Sequence, residues 1–137
     1  TTERVYRAFL GKTFFHGHTY AGNPIGCAAA IANLDYFRAR RVIQSLEPKI
    51  RLFARELSTL SVLRHVGEVR QAGFMAGIEL VRNRRTREPY PWEEKMGRRV
   101  CFRLRDAGII LRPLGNVVVL MPPLSINVNL EKVLLSL

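Results

Sequence analysis

Apolar residues recur along this chain at two periods, and the switches between the periods mark its elements. Val5, Tyr6, Phe9 and Leu10 fall near one helical face and predict a short helix over residues 1–10, ended by Gly11. From Asn23 to about Arg40, Ile25, Ala28, Ala29, Ala32, Leu34, Tyr36 and Phe37 predict a largely buried helix whose first half is made of small residues. Ile43, Leu46, Ile50, Phe53, Leu57 and Leu60 then predict a second helix, in which Pro48 marks a kink or the start of a new segment, because proline removes a donor and clashes with the preceding turn.

Strand periodicity follows. Val66–Arg70 and Phe74–Val81 read as two strands joined by Gln71-Ala72-Gly73, and the charged, proline-containing run Arg82–Pro91 reads as an exposed loop. Met96, Val100, Cys101 and Leu104 form one stripe of a helix predicted from Trp92 to Ala107, with Gly108 as its stop. Ile109–Leu111 and Val117–Leu120 are expected as strands around a turn at Pro113-Leu114-Gly115-Asn116. Asn127 or Asn129 caps a final helix carrying Leu130, Val133, Leu134 and Leu137. Helices alternating with short strands make this an α/β chain.

Composition narrows the setting. At 137 residues and 47% hydrophobic, the chain is the size of one domain and can bury a core. No apolar run approaches the ~18 residues of a membrane span, and Thr1-Thr2-Glu3-Arg4 lacks the layout of a signal peptide, so the expectation is a cytoplasmic protein with no membrane partner. A first residue other than Met is consistent with a piece of a longer chain. Cys27 and Cys101 belong to no metal or redox spacing and read as reduced packing residues. Met75, Met121 and Trp92 read as core or hinge residues.

A net charge of +11 and a pI near 10.8 raise the alternative of a nucleic-acid-binding module. The arginines are scattered along helical faces, however, and no zinc-finger, RNP-like or helix-turn-helix pattern accompanies them. A solvated face is the better account, so no nucleic-acid partner is expected.

Two segments concentrate candidate chemistry. In His16-Gly17-His18-Thr19-Tyr20-Ala21-Gly22-Asn23-Pro24, Asn23 suits a helix N-cap and Pro24 the first helical position, while Thr19 and Tyr20 bring hydroxyls just upstream of free helix amides, an arrangement suited to an anion. The plainer alternative is an ordinary capped loop. His16 and His18 lack a third ligand, and no metal is assigned. In the second segment, Gly108–Ile126, Arg112 is the only charge, and a guanidinium there suits two-point binding of a carboxylate, with a structural ion pair as the alternative.

Together these segments resemble the class III, fold-type I aminotransferases that depend on pyridoxal 5′-phosphate. The first is similar to the loop and helix after that family's active-site lysine region, and Arg112-Pro113-Leu114-Gly115-Asn116 is similar to its carboxylate-binding arginine and final hairpin. Within the class, the wording most resembles the members that serve biotin synthesis. The resemblance implies that residues 1–40 are the tail of the large cofactor-binding domain with the start of the long connecting helix, and that 41–137 are the small C-terminal domain. It further implies that Thr19, with Tyr20 beside it, binds pyridoxal 5′-phosphate, and that Arg112 binds the carboxylate of a small-molecule substrate. The family's threonine comes from the opposite subunit, which implies a homodimer with shared active sites.

The implied reaction passes an amino group, from S-adenosylmethionine in most of that subfamily, to 8-amino-7-oxononanoate, giving 7,8-diaminononanoate. Another class III ω-aminotransferase, acting on a diamine or ω-amino acid, is the alternative. Lys12, Lys49, Lys95 and Lys132 are the chain's lysines, and none stands in a setting like the family's Schiff-base lysine. No catalytic residue is therefore assigned, and the chain by itself is expected to be an inactive fragment.

Overall fold

Thr2 and Asn23 start the two helices of the first forty residues. A computed structural model describes residues 2–13 and 17–126, so His16 and the helix expected around Leu130–Leu137 lie outside the described residues. Helix α1, Glu3–Ala8, is capped by Thr2, whose hydroxyl accepts from the Val5 N–H at 3.4 Å, and carries an exposed Glu3–Arg7 pair at 2.8 Å. Helix α2, Pro24–Ala39, begins as the sequence predicts: Asn23 Oδ1 accepts from the Gly26 N–H at 3.0 Å and Pro24 occupies the first helical turn. The expected burial of α2 is not found. None of its residues is buried, and Ile25, Ile31 and Leu34 are exposed, because two helices within forty residues offer too little apolar surface to cover one that is apolar all round. Cys27, expected as a packing residue, is exposed with it.

The chain divides into two compact units, Thr1–Arg40 and Arg41–Leu137. In the second, Pro48 opens a new segment instead of kinking one helix: α3 spans Val42–Ser45 and α4 spans Glu47–Leu60 with the proline in its first turn. Strands β1 (Val66–Ala72) and β2 (Met75–Asn83) form a hairpin closed at Gly73-Phe74, so Phe74 lies in the turn and not in the strand where alternation put it. Its ring is buried edge-on against Phe53, with centroids 5.5 Å apart, and that contact outweighs strand periodicity. The stretch expected as a loop after Val81 is exposed, but β2 continues to Asn83 and pairs with a two-residue strand β3, Glu88–Pro89.

The single helix expected over Trp92–Ala107 is three pieces. A 3₁₀ turn at Trp92–Glu94 ends at Lys95, whose φ of 46° breaks the path, then α5 runs over Met96–Arg103 and a second 3₁₀ turn over Leu104–Ala107. The next strand is also displaced from its predicted place. Strand β4 is Arg112–Leu114, not Ile109–Leu111, and β5 is Val117–Leu120. Gly115, with φ of 59°, takes the first place of a two-residue loop as a tight hairpin requires, and this moves Pro113 and Leu114 out of the turn and into the strand. Pro113 is tolerated because β4 is an edge strand.

The sheet runs β1-β2-β5-β4 with β3 beside β2, and all its pairings are antiparallel. Alternation sends Ala76, Ile78, Leu80, Val118 and Leu120 to one face, where they share a cluster with Phe53 and Leu57 of α4 and Cys101 of α5. The other face carries two cross-strand rows. One is Arg112, Val119, Gly77 and Arg70; the other is Leu114, Val117, Glu79 and Glu68.

Candidate functional site

The loop before α2 is closed by its own backbone. The Ala21 N–H donates to the His18 carbonyl at 2.9 Å and the Asn23 N–H to the Tyr20 carbonyl at 3.1 Å. These bonds leave Thr19 and Tyr20 on the outside of the turn, with Tyr20 81% exposed and the Thr19 hydroxyl in no hydrogen bond among the described residues. The helix terminus itself offers less to an anion than the sequence suggests. Pro24 has no N–H, the Gly26 amide is taken by Asn23 Oδ1, and the Cys27 amide closes the first helical bond to the Asn23 carbonyl. The donors this loop leaves open are thus the Thr19 and Tyr20 hydroxyls more than the helix end.

Arg112 opens the edge strand β4, and its surroundings are apolar. Ile110, Leu111, Leu114, Val119 and Met121 line a concavity of about 430 Å³ in which its guanidinium is the only charge among the described residues. Ile110, Leu114 and Met121 are exposed here, although Met121 was expected in the core or at a hinge. Met75 and Trp92, at 47% and 73% exposed, are likewise surface residues. No carboxylate among the described residues comes within ion-pair distance of Arg112, so the structural ion pair weighed from the sequence is not formed there. Thr19 and Arg112 belong to different units.

The sequence reading missed what holds the Arg112 hairpin. Asn116 donates from Nδ2 to the Tyr90 carbonyl at 2.7 Å, and its own carbonyl accepts from the Leu80 N–H at 2.9 Å. The Tyr90 hydroxyl lies 2.9 Å from His65 Nδ1, which also faces the Val81 carbonyl at 3.3 Å. Helix α5 also meets the turn directly: a Cβ at Gly97 would collide with the Gly115 carbonyl oxygen and come within 3.1 Å of the Pro113 Cβ. Asn116 and Gly97 look like ordinary turn and helix residues in the sequence, and only their neighbours distinguish them.

On the same face of the sheet a second arginine is answered by carboxylates. Arg70 Nη1 contacts Glu79 Oε2 at 2.6 Å and Glu68 Oε2 at 2.8 Å, and those hydrogen bonds hold its guanidinium above the ordinary arginine range. Burial pushes the Cys101 thiol up, with Arg105 opposing. Among the described residues, no helix is long and apolar enough to cross a membrane and no group of His, Cys, Asp and Glu is placed to hold a metal.

Comparison with known proteins agrees with the resemblance read from the two motifs. Residues 1–136 match the model of the family described as Aminotransferase class-III. The adenosylmethionine-8-amino-7-oxononanoate aminotransferase of Geobacter sulfurreducens is 55% identical over 131 residues, which are 92% of this chain and 29% of that protein. The same-named protein of Anoxybacillus flavithermus is 53% identical over 130 residues, covering 91% and 29%. The crystal structure of the same-named enzyme from Methanocaldococcus jannaschii superposes with a TM-score of 0.85 at 49% identity, covering 98% of this chain and 31% of that one. The chain thus spans under a third of the length of these relatives.

Proposed function

This chain belongs to the class-III aminotransferases, and on that premise we propose that it forms the C-terminal part of an enzyme that aminates 8-amino-7-oxononanoate to 7,8-diaminononanoate in biotin biosynthesis, with S-adenosylmethionine as amino donor. The structural observation that carries this reading is Arg112: an exposed guanidinium, alone among apolar side chains, suits a substrate with one carboxylate on an aliphatic chain. Relatives at half identity or more bearing that enzyme's name support the choice of substrate.

Thr19 and Tyr20 fit pyridoxal 5′-phosphate, because their side chains stand clear of a turn that is already satisfied by its own backbone. Thr19 would hold the phosphate by its hydroxyl, and Tyr20 would wall the cofactor or the substrate entry. The bound cofactor supplies the electron sink through which an amino group is exchanged between an amine and a carbonyl compound. Arg112 binds the keto-acid carboxylate through two parallel N–H donors, which fixes the orientation of the chain as well as its end. The apolar side chains of Ile110, Leu111, Val119 and Met121 beside it offer contacts to the aliphatic part of such a substrate.

In this reading residues 1–40 complete the large domain and 41–137 form the small one. Thr19 serves a cofactor in the neighbouring subunit of a cytoplasmic homodimer, as the family's matching threonine does. The Schiff-base lysine is supplied from outside these 137 residues, so the chain by itself is inactive. The test is an assay of the complete enzyme with 8-amino-7-oxononanoate and a panel of amino donors. Formation of 7,8-diaminononanoate supports the assignment. Turnover confined to diamines or ω-amino acids with other acceptors overturns it in favour of an ω-aminotransferase.

A further inference from the structure

Strand β4 is three residues long and, among the described residues, bonded on one side only, to β5, so that ladder alone leaves the position of Arg112 poorly determined. A two-point guanidinium–carboxylate contact tolerates misplacement of only about 0.5 Å or 10–20°. Something besides the ladder must hold the hairpin.

We propose that Asn116 is the positioning residue for Arg112, bracing the turn of its hairpin against the segment that follows β3; the inference rests on Arg112 being the carboxylate site. Asn116 ties the turn at two points. Its carbonyl accepts from Leu80 of the central strand β2, and its side-chain amide donates to the Tyr90 carbonyl at 2.7 Å. Tyr90 is itself anchored, since its hydroxyl meets His65 Nδ1, and His65 accepts through its carbonyl from the Val81 N–H at 2.9 Å. The brace thus ends on β2, a strand with neighbours on both sides. Helix α5 also abuts the turn, with Gly97 against the Gly115 carbonyl, so the turn is held by a helix contact as well as a hydrogen-bonded strap.

Loss of the amide removes the strap and leaves the helix contact. Strand β5 keeps its pairing with β2 from Ala76↔Leu120 to Glu79↔Val117, so the core stays closed while the edge strand is free to pivot about its turn. The consequence is selective. Binding of the carboxylate suffers, whereas steps that do not involve it are unaffected.

The test uses the complete enzyme, with Asn116→Ala and Asn116→Asp. The aspartate variant keeps the shape and the turn preference but not the N–H donor, so it carries the test where the alanine variant folds poorly. KM and kcat are measured for the keto-acid and for a carboxylate-free analogue, with Arg112→Ala run in parallel. A rise in keto-acid KM of about three- to tenfold in both variants, with the analogue unchanged, is the expected result. Equal losses on both substrates, or no loss in either variant, overturns the positioning role. If Arg112→Ala itself fails to discriminate the two substrates, the carboxylate site is misassigned; if it discriminates and the Asn116 variants do not, only the positioning inference falls.

Discussion

Arg112 and Arg70 stand in one cross-strand row on the same face of the sheet, separated by Val119 and Gly77, and only Arg70 is neutralised. Glu68 and Glu79 of the adjacent row close on Arg70, while the neighbours of Arg112 are Leu114 and Val119. Arg112 is exposed, forms no ion pair among the described residues and is bordered by apolar side chains, so its guanidinium is open to a carboxylate from outside them.

Substitution at Arg112 separates charge from geometry. In the complete enzyme Arg112→Lys keeps the charge and loses the fork, and Arg112→Ala loses both, so kcat/KM for the keto-acid falls in that order while the cofactor spectrum barely changes. Charge-assisted bonds of about 1.5–3 kcal/mol correspond to a loss of roughly ten- to hundredfold for the alanine variant. Steady-state kinetics measure it, and an equal loss on a carboxylate-free analogue would make the arginine structural.

Thr19→Ala is expected to weaken cofactor retention by roughly tenfold, because one hydroxyl bond to a phosphate is lost and nothing else in the turn depends on that side chain. Titration of the complete apoenzyme with pyridoxal 5′-phosphate reads this directly. Unchanged affinity removes Thr19 from the site.

Gly97→Ala puts a methyl group into the Gly115 carbonyl, and since backbone stands on both sides of the contact, neither can yield cheaply. The expected cost is about 1–3 kcal/mol, seen as a lower urea midpoint. A variant as stable as its parent would show that α5 and the hairpin move apart without penalty.

Cys101 is buried and Cys27 exposed, so iodoacetamide at neutral pH should alkylate Cys27 first and reach Cys101 only on unfolding. Burial is the main cause that raises the Cys101 thiol, so its contribution to stability is full below the ordinary thiol range and is lost as pH rises through the elevated value. Mass spectrometry of the two peptides, in buffer and in urea, checks the order. Equal rates in buffer would contradict the burial of Cys101.

Local chemistry made much of this protein legible from the residues alone. Asn23 and Pro24 start α2 wherever the helix goes, Gly11 and Gly108 adopt positive φ just past the elements they close, and alternation over Ala76–Leu80 names the inner face of β2. The two motifs around Thr19 and Arg112 were enough to indicate the family. What the sequence left undetermined depends on partners distant in the chain. Phe74 leaves its strand for Phe53, β4 shifts by three residues because Gly115 takes the first place of the turn, and Lys95 breaks a stripe that reads as one helix. Asn116 meeting Tyr90, and Arg112 meeting no carboxylate among the described residues, are likewise matters of register and packing. Propensity and capping act within a turn or two of chain, whereas which side chains face one another across a sheet is decided only when the strands have paired.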